Sequence, residues 1–500
     1  MNRANILRRL LLILVVLLLG LVAVVAGKTL LTPSRQVPVQ TITPVAVDAT
    51  QAAARLGAAV RFRTISSDTD PNLSKDEFEK FHAYLARTFP RVHTQLQREV
   101  VGGLSLLYTW TGSDPKAAPI ALMAHQDVVP IAPGTEGRWQ VPPFAGEVRD
   151  GYIWGRGAWD NKGNLMSQME AIEMLLAGGF QPRQTVYLIA GADEEVGGRR
   201  GALAIAALLK SRGVSLDFVL DEGLLVTEGV LAGLSQPTAL IGIAEKGYAS
   251  YVLSVDATPG HSSMPPKHSA IGMLSGALAR LEDKQMPAAI RGVALDMFET
   301  LAPEMQGVNR VLLSNLWLFR PVVQAQLEKS PSSNAMLRTT TALTIVQAGN
   351  KENVLPGRAE AVVNFRLLPG DGLDEVHDHV HHAVADERVK VEPRDADKNN
   401  EASPVSPIDS PSYRQLARTV RETFPGAIVA PGLMIAATDS RHFTGLSRHI
   451  YRFSPVRAKP EDLSRFHGTN ERISVANYVE AIQFYHQLLR NTTQLAAPHN

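Results

Sequence analysis

The residues best equipped for chemistry in this chain are histidines and carboxylates at five separated places. AHQDVVP carries His125 and Asp127, GRGAWDNKG carries Asp160, AGADEEVGG carries Glu194 and Glu195, VLDEG carries Asp221, and FHGTNERI carries His467. Side chains alternate along an extended segment, so His125 and Asp127 fall on one side of theirs. There the Asp can accept the second ring N–H of a metal-bound imidazole. Gly155, Gly157 and Gly163 surround Asp160 and free its loop for unusual backbone geometry just ahead of a helix. Taken singly, each motif has an ordinary reading: a structural His-Asp pair, a helix cap at Asp160, a solvated acidic pair at Glu194 and Glu195. Together, two histidines and several carboxylates at strand ends make a donor set suited to two divalent ions such as zinc, bridged by a shared carboxylate.

The elements that must position these groups read as an alternating α/β pattern. LSLLYTW, PIALMAH, TVYLIAG and DFVLDEG are short apolar runs of strand type. Between them a helix is expected over 164–177, with a stripe of Leu165, Met169, Ile172 and Leu176 that stops at Gly178 and Gly179, and another over 202–210. Upstream, Ser74 and Glu77 have capping-box spacing, with Phe78, Phe81, Tyr84 and Leu85 on one helix face. Strands alternating with helices predict a mainly parallel sheet covered on both faces, with ligands beyond the carboxyl ends of its strands.

Near Gly242 the pattern changes. YASYVLSVDA alternates like a half-exposed strand, helices are expected over 269–281 and 374–384, and TTALTIVQAG, RAEAVVNFRLL and RVKVEPR read as strands. Two strand-helix-strand halves predict a small four-stranded α+β (ferredoxin-like) domain inserted in the larger one. Residues 283–338 carry no readable organisation. From about Ser410 the α/β pattern returns and ends in a helix over 475–489. VHDHVHH gathers His377, His379, His381 and His382, which read as a solvated helix face.

Composition narrows the function. A chain of 500 residues exceeds what one core usually serves. With 50 Lys plus Arg against 49 Asp plus Glu, the net charge of +1 gives no footprint for nucleic acid. The absence of cysteine excludes disulfides, thiolate metal sites and a cysteine nucleophile. At the N-terminus Arg3, Arg8 and Arg9 precede an apolar run from Leu10 to Ala26, followed by Lys28. The run is membrane-seeking: either an anchor with the body on the extracytoplasmic side, periplasmic or extracellular, or a signal segment whose cleavage leaves a secreted protein. Pro33, Pro38 and Pro44 mark 28–48 as an extended tether. The expected organisation is therefore a basic N-terminus over 1–9, a membrane segment over 10–27, the tether, catalytic parts over 49–243 and 398–495, and the inserted domain over 244–397.

At this level the sequence resembles the co-catalytic zinc peptidases that include carboxypeptidase S, aminoacylase, acetylornithine deacetylase, succinyl-diaminopimelate desuccinylase and glutamate carboxypeptidases. HQDVVP, GRGAWDNKG, GADEEVGG, VLDEG, TPGHSS, ENVLPG, NFRLLPG, ATDSRH and FHGTNE occur in the family's order across nearly everything after the tether. The nearest subgroup is carboxypeptidase S and its relatives that hydrolyse or form N-fatty-acyl amino acids. The resemblance implies two Zn2+ per subunit. Asp160 would bridge them, with His125 and Asp221 on one ion and Glu195 and His467 on the other. Asp127 would orient His125, and Glu194 would move the proton. The inserted domain would act as lid and homodimerisation domain, His261 would stabilise the oxyanion, usually in the partner subunit's centre, and Arg366 with Asn353 would hold a substrate carboxylate. The implied reaction is hydrolysis of a peptide or N-acyl amide beside a free amino-acid carboxylate. The alternatives are a dipeptidase or aminopeptidase with the same metals and a non-catalytic metal-binding scaffold. Asn161 stands where the family often has a second Asp, joined to the first by a cis peptide, and Thr438, Asp439, Arg441 and His442 of ATDSRH are expected near the metals.

Overall fold

The run IALMAH is apolar without alternation because both faces of its strand are covered: all of Ile120–His125 is buried. In a computed structural model that describes residues 3–231 and 233–493, this strand joins the central layer of the molecule. Up to residue 245 the strands are β1 (Gln97–Val101), β2 (Ser105–Trp110), β3 (Ile120–His125), β4 (Val148–Arg149), β5 (Tyr152–Trp154), β6 (Val186–Gly191), β7 (Val219–Thr227) and β8 (Thr238–Glu245). Then come β9 (Gly247–Asp256), β10 (Gly260–His261), β11 (Thr340–Gln347), β12 (Val354–Leu355), β13 (Arg358–Leu367) and β14 (Lys390–Pro393). The last are β15 (Ile428–Met434), β16 (Ile450–Ala458) and β17 (Arg472–Ser474). Among the described residues the largest sheet has eight strands in the order β1-β2-β6-β3-β7-β16-β8-β15. Its heart is parallel, with β6, β3, β7 and β16 running together, while β1 and β2 form an antiparallel edge.

The helices are α1 (Arg3–Leu31), α2 (Ala49–Val60), α3 (Lys75–Thr88), α4 (Pro90–Gln95), α5 (Lys162–Ala177), α6 (Ala202–Ser211) and α7 (Ala270–Asp283). They continue with α8 (Gly292–Leu301), α9 (Gly307–Ser314), α10 (Leu316–Leu327), α11 (Pro331–Ala335), α12 (Leu373–Val384), α13 (Pro411–Thr423) and α14 (Val475–Thr493). Helix α5 is buried along most of its length between the sheet and α14, and ends at Gly178-Gly179, where Gly179 takes φ +69. The stripe expected for α3 buries Phe78, Phe81 and Leu85. Its capping box does not form: the Glu77 N–H donates to the Ser74 carbonyl and not to its side chain, and the Glu77 carboxylate accepts from Lys80 and from the Arg63 N–H.

The second layer is the antiparallel sheet β11-β13-β9-β14, covered on one face by α7 and α12. Strand β13 alternates buried and partly exposed residues along its whole length, as a one-sided sheet requires. Its chain order is β-α-β-β-α-β, as the sequence pattern indicates. The inserted unit is narrower than 244–397, however. Helices α8 to α11 return to the larger body, where Ala294, Met297 and Phe298 pack with Ile428 and Ala430 of the edge strand β15.

Residues 32–48 are extended, as their prolines suggest, but they are not a free tether. Gln36 exchanges two hydrogen bonds with the Val429 backbone (2.9 and 2.8 Å), Val37 O accepts from Arg421, and Val45 O accepts from Gln483. The chain runs as a strap over an otherwise open sheet edge. Residues 1–2, in the expected basic N-terminus, and 494–495, in the expected last catalytic part, lie outside the described residues.

Candidate metal centre

Five segments meet beyond the carboxyl ends of the central strands. His125 is the last residue of β3, and Glu194 and Glu195 open a 3₁₀ turn after β6. Asp160 lies in the loop before α5, and His467 lies in the loop before β17. Two of these loops are far apart in sequence and are fixed to each other by Glu471, which is fully buried. Its Oε1 accepts N–H bonds from Gly157, Trp159 and Asp160 at 2.9, 2.9 and 3.0 Å. Its Oε2 accepts from Arg156 Nη1 at 2.6 Å, and Arg156 Nη2 donates to the carbonyls of His467 and Gly468 at 3.0 and 3.1 Å. Phe466 stacks on the His467 ring at 4.6 Å between centroids. Glu471 was not singled out by the sequence, although it is the acidic residue of FHGTNE.

Asp160 is 3% exposed and divides its two oxygens between two groups of side chains. Oδ1 lies 3.0 Å from His125 Nε2, which in turn is 3.3 Å from Glu222 Oε1. Oδ2 lies 2.7 Å from His467 Nε2, which is 3.3 Å from Glu195 Oε2. Glu194 stands beside the first group, its carboxylate within 4.8 Å of the donor atoms of His125 and Glu222. Asp127 ties the arrangement together. Its backbone carbonyl is 3.0 Å and its Oδ1 3.3 Å from His125 Nδ1, and its carboxylate accepts the N–H groups of Glu194 and Glu195 at 3.2 and 3.1 Å.

The structure places one expected ligand elsewhere. Asp221 does not face this cluster: its Oδ1 accepts the Glu222 N–H (2.9 Å) and its Oδ2 accepts the Ser440 N–H (2.8 Å). The reason lies in the strand. β7 does not end at Asp221 but runs on to Thr227, so the pleat sends Asp221 and Glu222 to opposite sides. Glu222 is the one beside His125, and its other oxygen accepts from the Asn161 side-chain amide. The Asp160–Asn161 peptide is cis.

The groups expected from the inserted domain are elsewhere in the chain. His261 is exposed on β10, its Nδ1 2.8 Å from Ser263 Oγ, and Asn353 lies beside it, its carbonyl accepting the Ser262 N–H at 3.1 Å. Arg366 is near the other end of β13, its guanidinium 5.0 Å from the centre of the Tyr248 ring. Arg366 and Asn353 are therefore not brought together within one chain. Burial lowers the Arg366 pKa, opposed by Tyr248. ATDSRH forms a supporting layer. Asp439 packs against the turn carrying the two glutamates, where a Cβ on Gly198 (φ +67) would lie 1.8 Å from its Oδ1, and Thr438 bonds to the buried Glu245. Burial and the nearby Arg441 push the His442 imidazole down to about 4. The α12 histidines lie away from this cluster, and His377 and His381 approach each other with Nε2 atoms 3.2 Å apart on an exposed face.

The donor set fits divalent metal. Glu195 Oε1 is buried without a hydrogen-bond donor, which a coordinated cation would compensate. Among the protein's own groups the charges are frustrated. Burial pushes the Glu222 carboxyl up to about 7, with Asp160 and Asp221 adding to the rise against His125. Burial also pushes Glu194 well up, aided by Glu222, Asp439 and Glu195. Asp160 stays below the usual carboxylate range because His125 and His467 outweigh its burial. Hydrogen bonds to Asp160 and Glu195 lift His467 to about 10. The cleft above is lined by Trp159, Glu194, Met434, Ala437, Phe466 and His467.

Comparison with known proteins places the same residues in a wider set. Residues 121–491 match the model of peptidase family M20/M25/M40. The chain is 46% identical over 451 residues to the N-fatty-acyl-amino acid synthase/hydrolase PM20D1 of Xenopus tropicalis, covering 89% of this chain and 86% of that protein. It is 40% identical over 486 residues to the probable carboxypeptidase S-like 2 of Dictyostelium discoideum, covering 95% and 93%. Among solved structures, the M20 family metallo-carboxypeptidase Sso-CP2 of Sulfolobus solfataricus has the same fold, with a TM-score of 0.65 at 18% identity over 88% of this chain and 98% of that one.

Proposed function

The chain belongs to peptidase family M20/M25/M40, metal-dependent hydrolases of amide bonds, and from that premise we propose that it cleaves the peptide or N-acyl amide bond of substrates ending in a free amino-acid carboxylate. The observation that carries this reading is the division of Asp160, one oxygen toward His125 and Glu222 and the other toward His467 and Glu195. These five residues would hold two zinc ions. When bound, such ions lower the pKa of water and polarise the scissile carbonyl.

The remaining chemistry falls to side chains that the metals do not need. Glu194 takes a proton from the attacking water and delivers it to the leaving nitrogen, contributing on the order of 10²- to 10⁴-fold in rate. Asp127 holds His125 and the glutamate turn in register, and the Arg156–Glu471 pair does the same for Asp160 and His467. His261 projects outward from its own chain, which suits donation to an oxyanion in a second subunit of a homodimer. In that arrangement the partner subunit's Asn353 would complete a carboxylate clamp with Arg366, whose planar guanidinium binds two oxygens.

The similarity to an N-fatty-acyl-amino acid synthase/hydrolase supports N-acyl amino acids, including fatty-acyl ones, as substrates. Helix α1 is long and apolar enough to cross a membrane. We read it as an anchor that holds the body on the extracytoplasmic side of a bilayer, a phase into which acyl chains partition. The test is a panel of N-acyl amino acids and dipeptides, each with its C-terminal amide counterpart, assayed on metal-loaded enzyme. Acids should be hydrolysed far faster than amides, and Arg366→Ala should raise KM for the acids alone. Equal rates on acids and amides would remove the carboxylate requirement.

A further inference from the structure

Helices α9 and α10 belong to the stretch whose role the sequence does not show, and their surroundings are unusual for an enzyme surface. They dock on the end of the apolar helix α1. Asn315 Nδ2 donates to Thr29 Oγ1 (3.0 Å) and to the Val25 carbonyl (3.3 Å), and Arg310 Nε donates to the Thr29 carbonyl (3.1 Å). The Lys28 ammonium lies 5.9 Å from the centre of the Trp317 ring. Ser34 and Arg35, just after α1, bond to Glu304 and Glu299 on the same helical region. Polar contacts therefore fix the helical pair to α1 at the point where its apolar run gives way to Lys28.

The outward side of the pair is apolar. Trp317 is 51% exposed and Val322 60%, with Val308 and Leu318 exposed beside them. Residues 305–327 include Arg310 and Arg320 but no acidic residue. An apolar cavity of about 750 Å³ opens at this face, walled by Phe298, Leu312, Leu313, Pro321, Val322 and Leu327. In water such a face exposes apolar area at a cost. At a bilayer surface the same residues are favourable: the indole sits at headgroup level, aliphatic side chains enter the acyl boundary, and arginines reach anionic headgroups.

We propose that α9 and α10 form a membrane-contact platform that lies in the headgroup region of the bilayer crossed by α1, with lipid acyl chains entering the cavity beside Val322. This rests on α1 remaining in the membrane. At about 1.5 Å of rise per helical residue, Lys28 is a few ångströms beyond Ala26, where the unbroken apolar run ends and after which only Leu30 and Leu31 are apolar, so the adjacent Trp317 is at interfacial depth. The partner surface is the bilayer itself, and the platform with the strap over 32–48 sets one pose of the catalytic body upon it.

The chain has no cysteine, so single cysteines can be placed at will. Full-length Leu14→Cys, Leu318→Cys, Val322→Cys and Met264→Cys would each be spin-labelled and reconstituted in vesicles of phosphatidylcholine and phosphatidylglycerol. Relaxation by oxygen and by an aqueous nickel chelate then reports depth. The expected result is a deep label at 14, shallow lipid-exposed labels at 318 and 322, and an aqueous label at 264 on the inserted domain. Lipid exposure at 14 with 318 and 322 as aqueous as 264 would overturn the platform and leave the anchor standing. An aqueous label at 14 would overturn both.

Discussion

The exchange of Asp221 for Glu222 at the cluster has a consequence that a single substitution exposes. Glu222→Gln keeps size and the contact with Asn161 but removes a charge. In demetallated protein, the folded carboxyl is raised from 4.5 to about 7, chiefly by burial. A carboxyl raised on folding keeps its proton in the folded state while the unfolded chain loses it, so stability falls as pH rises through this window. The accumulated cost is under about 1 kcal/mol at pH 5 and about 3 kcal/mol at pH 8. The neutral amide of the variant avoids that cost. Demetallated Glu222→Gln should therefore melt several degrees above demetallated wild type at pH 8 and nearly with it at pH 5. With metal supplied, the order should reverse, because the variant has lost a ligand and should retain about one ion where wild type retains two. Asp221→Asn should instead lose on the order of 1–3 kcal/mol with or without metal, since it weakens bonds to two backbone N–H groups. Paired melting curves and metal analysis after gel filtration decide the matter. Full metal in Glu222→Gln with loss of an ion from Asp221→Asn would refute the assignment and restore Asp221 as ligand.

Glu471→Ala should destabilise the protein by at least about 3–5 kcal/mol, read as a fall in Tm, because it leaves buried Arg156 unpaired and three N–H groups without an acceptor. Glu471→Gln should fold better yet bind metal more weakly, as it loosens Asp160 against His467. Mixing inactive His261→Ala subunits with inactive Glu194→Ala subunits should restore part of the activity, measured after subunit exchange. No restoration would place the complete site within one chain.

Much of this architecture was legible because burial writes itself into period. The unbroken apolar runs of β3 and β6 and the alternation along β13 each follow from which faces are covered. His125, Asp160, Glu195 and His467 were legible as candidates only in combination and through the family resemblance, since each motif alone has an ordinary reading; the structure brings their side chains together around Asp160. The choice between Asp221 and Glu222 was not, since it depends on whether the strand stops there or runs past Gly223, and neighbouring acids look equivalent in one dimension. Residues 283–338 were opaque for another reason. Their helices are short, Pro321 sits inside one, and they cover an edge strand and the end of α1, partners that periodicity does not name. The tether misled similarly: its prolines indicate extension but not the sheet edge it binds.

At the centre of the proposed mechanism, adjacent glutamates do different work, Glu195 holding metal and Glu194 moving the proton. The most direct measurement of that division is turnover and metal content of Glu194→Gln on an N-acyl amino acid hydrolysed by wild type. The expected result is two ions per subunit, as in wild type, and a kcat lower by about 10²- to 10⁴-fold. Near-normal turnover with both metals in place, or loss of metal in step with activity, would contradict it.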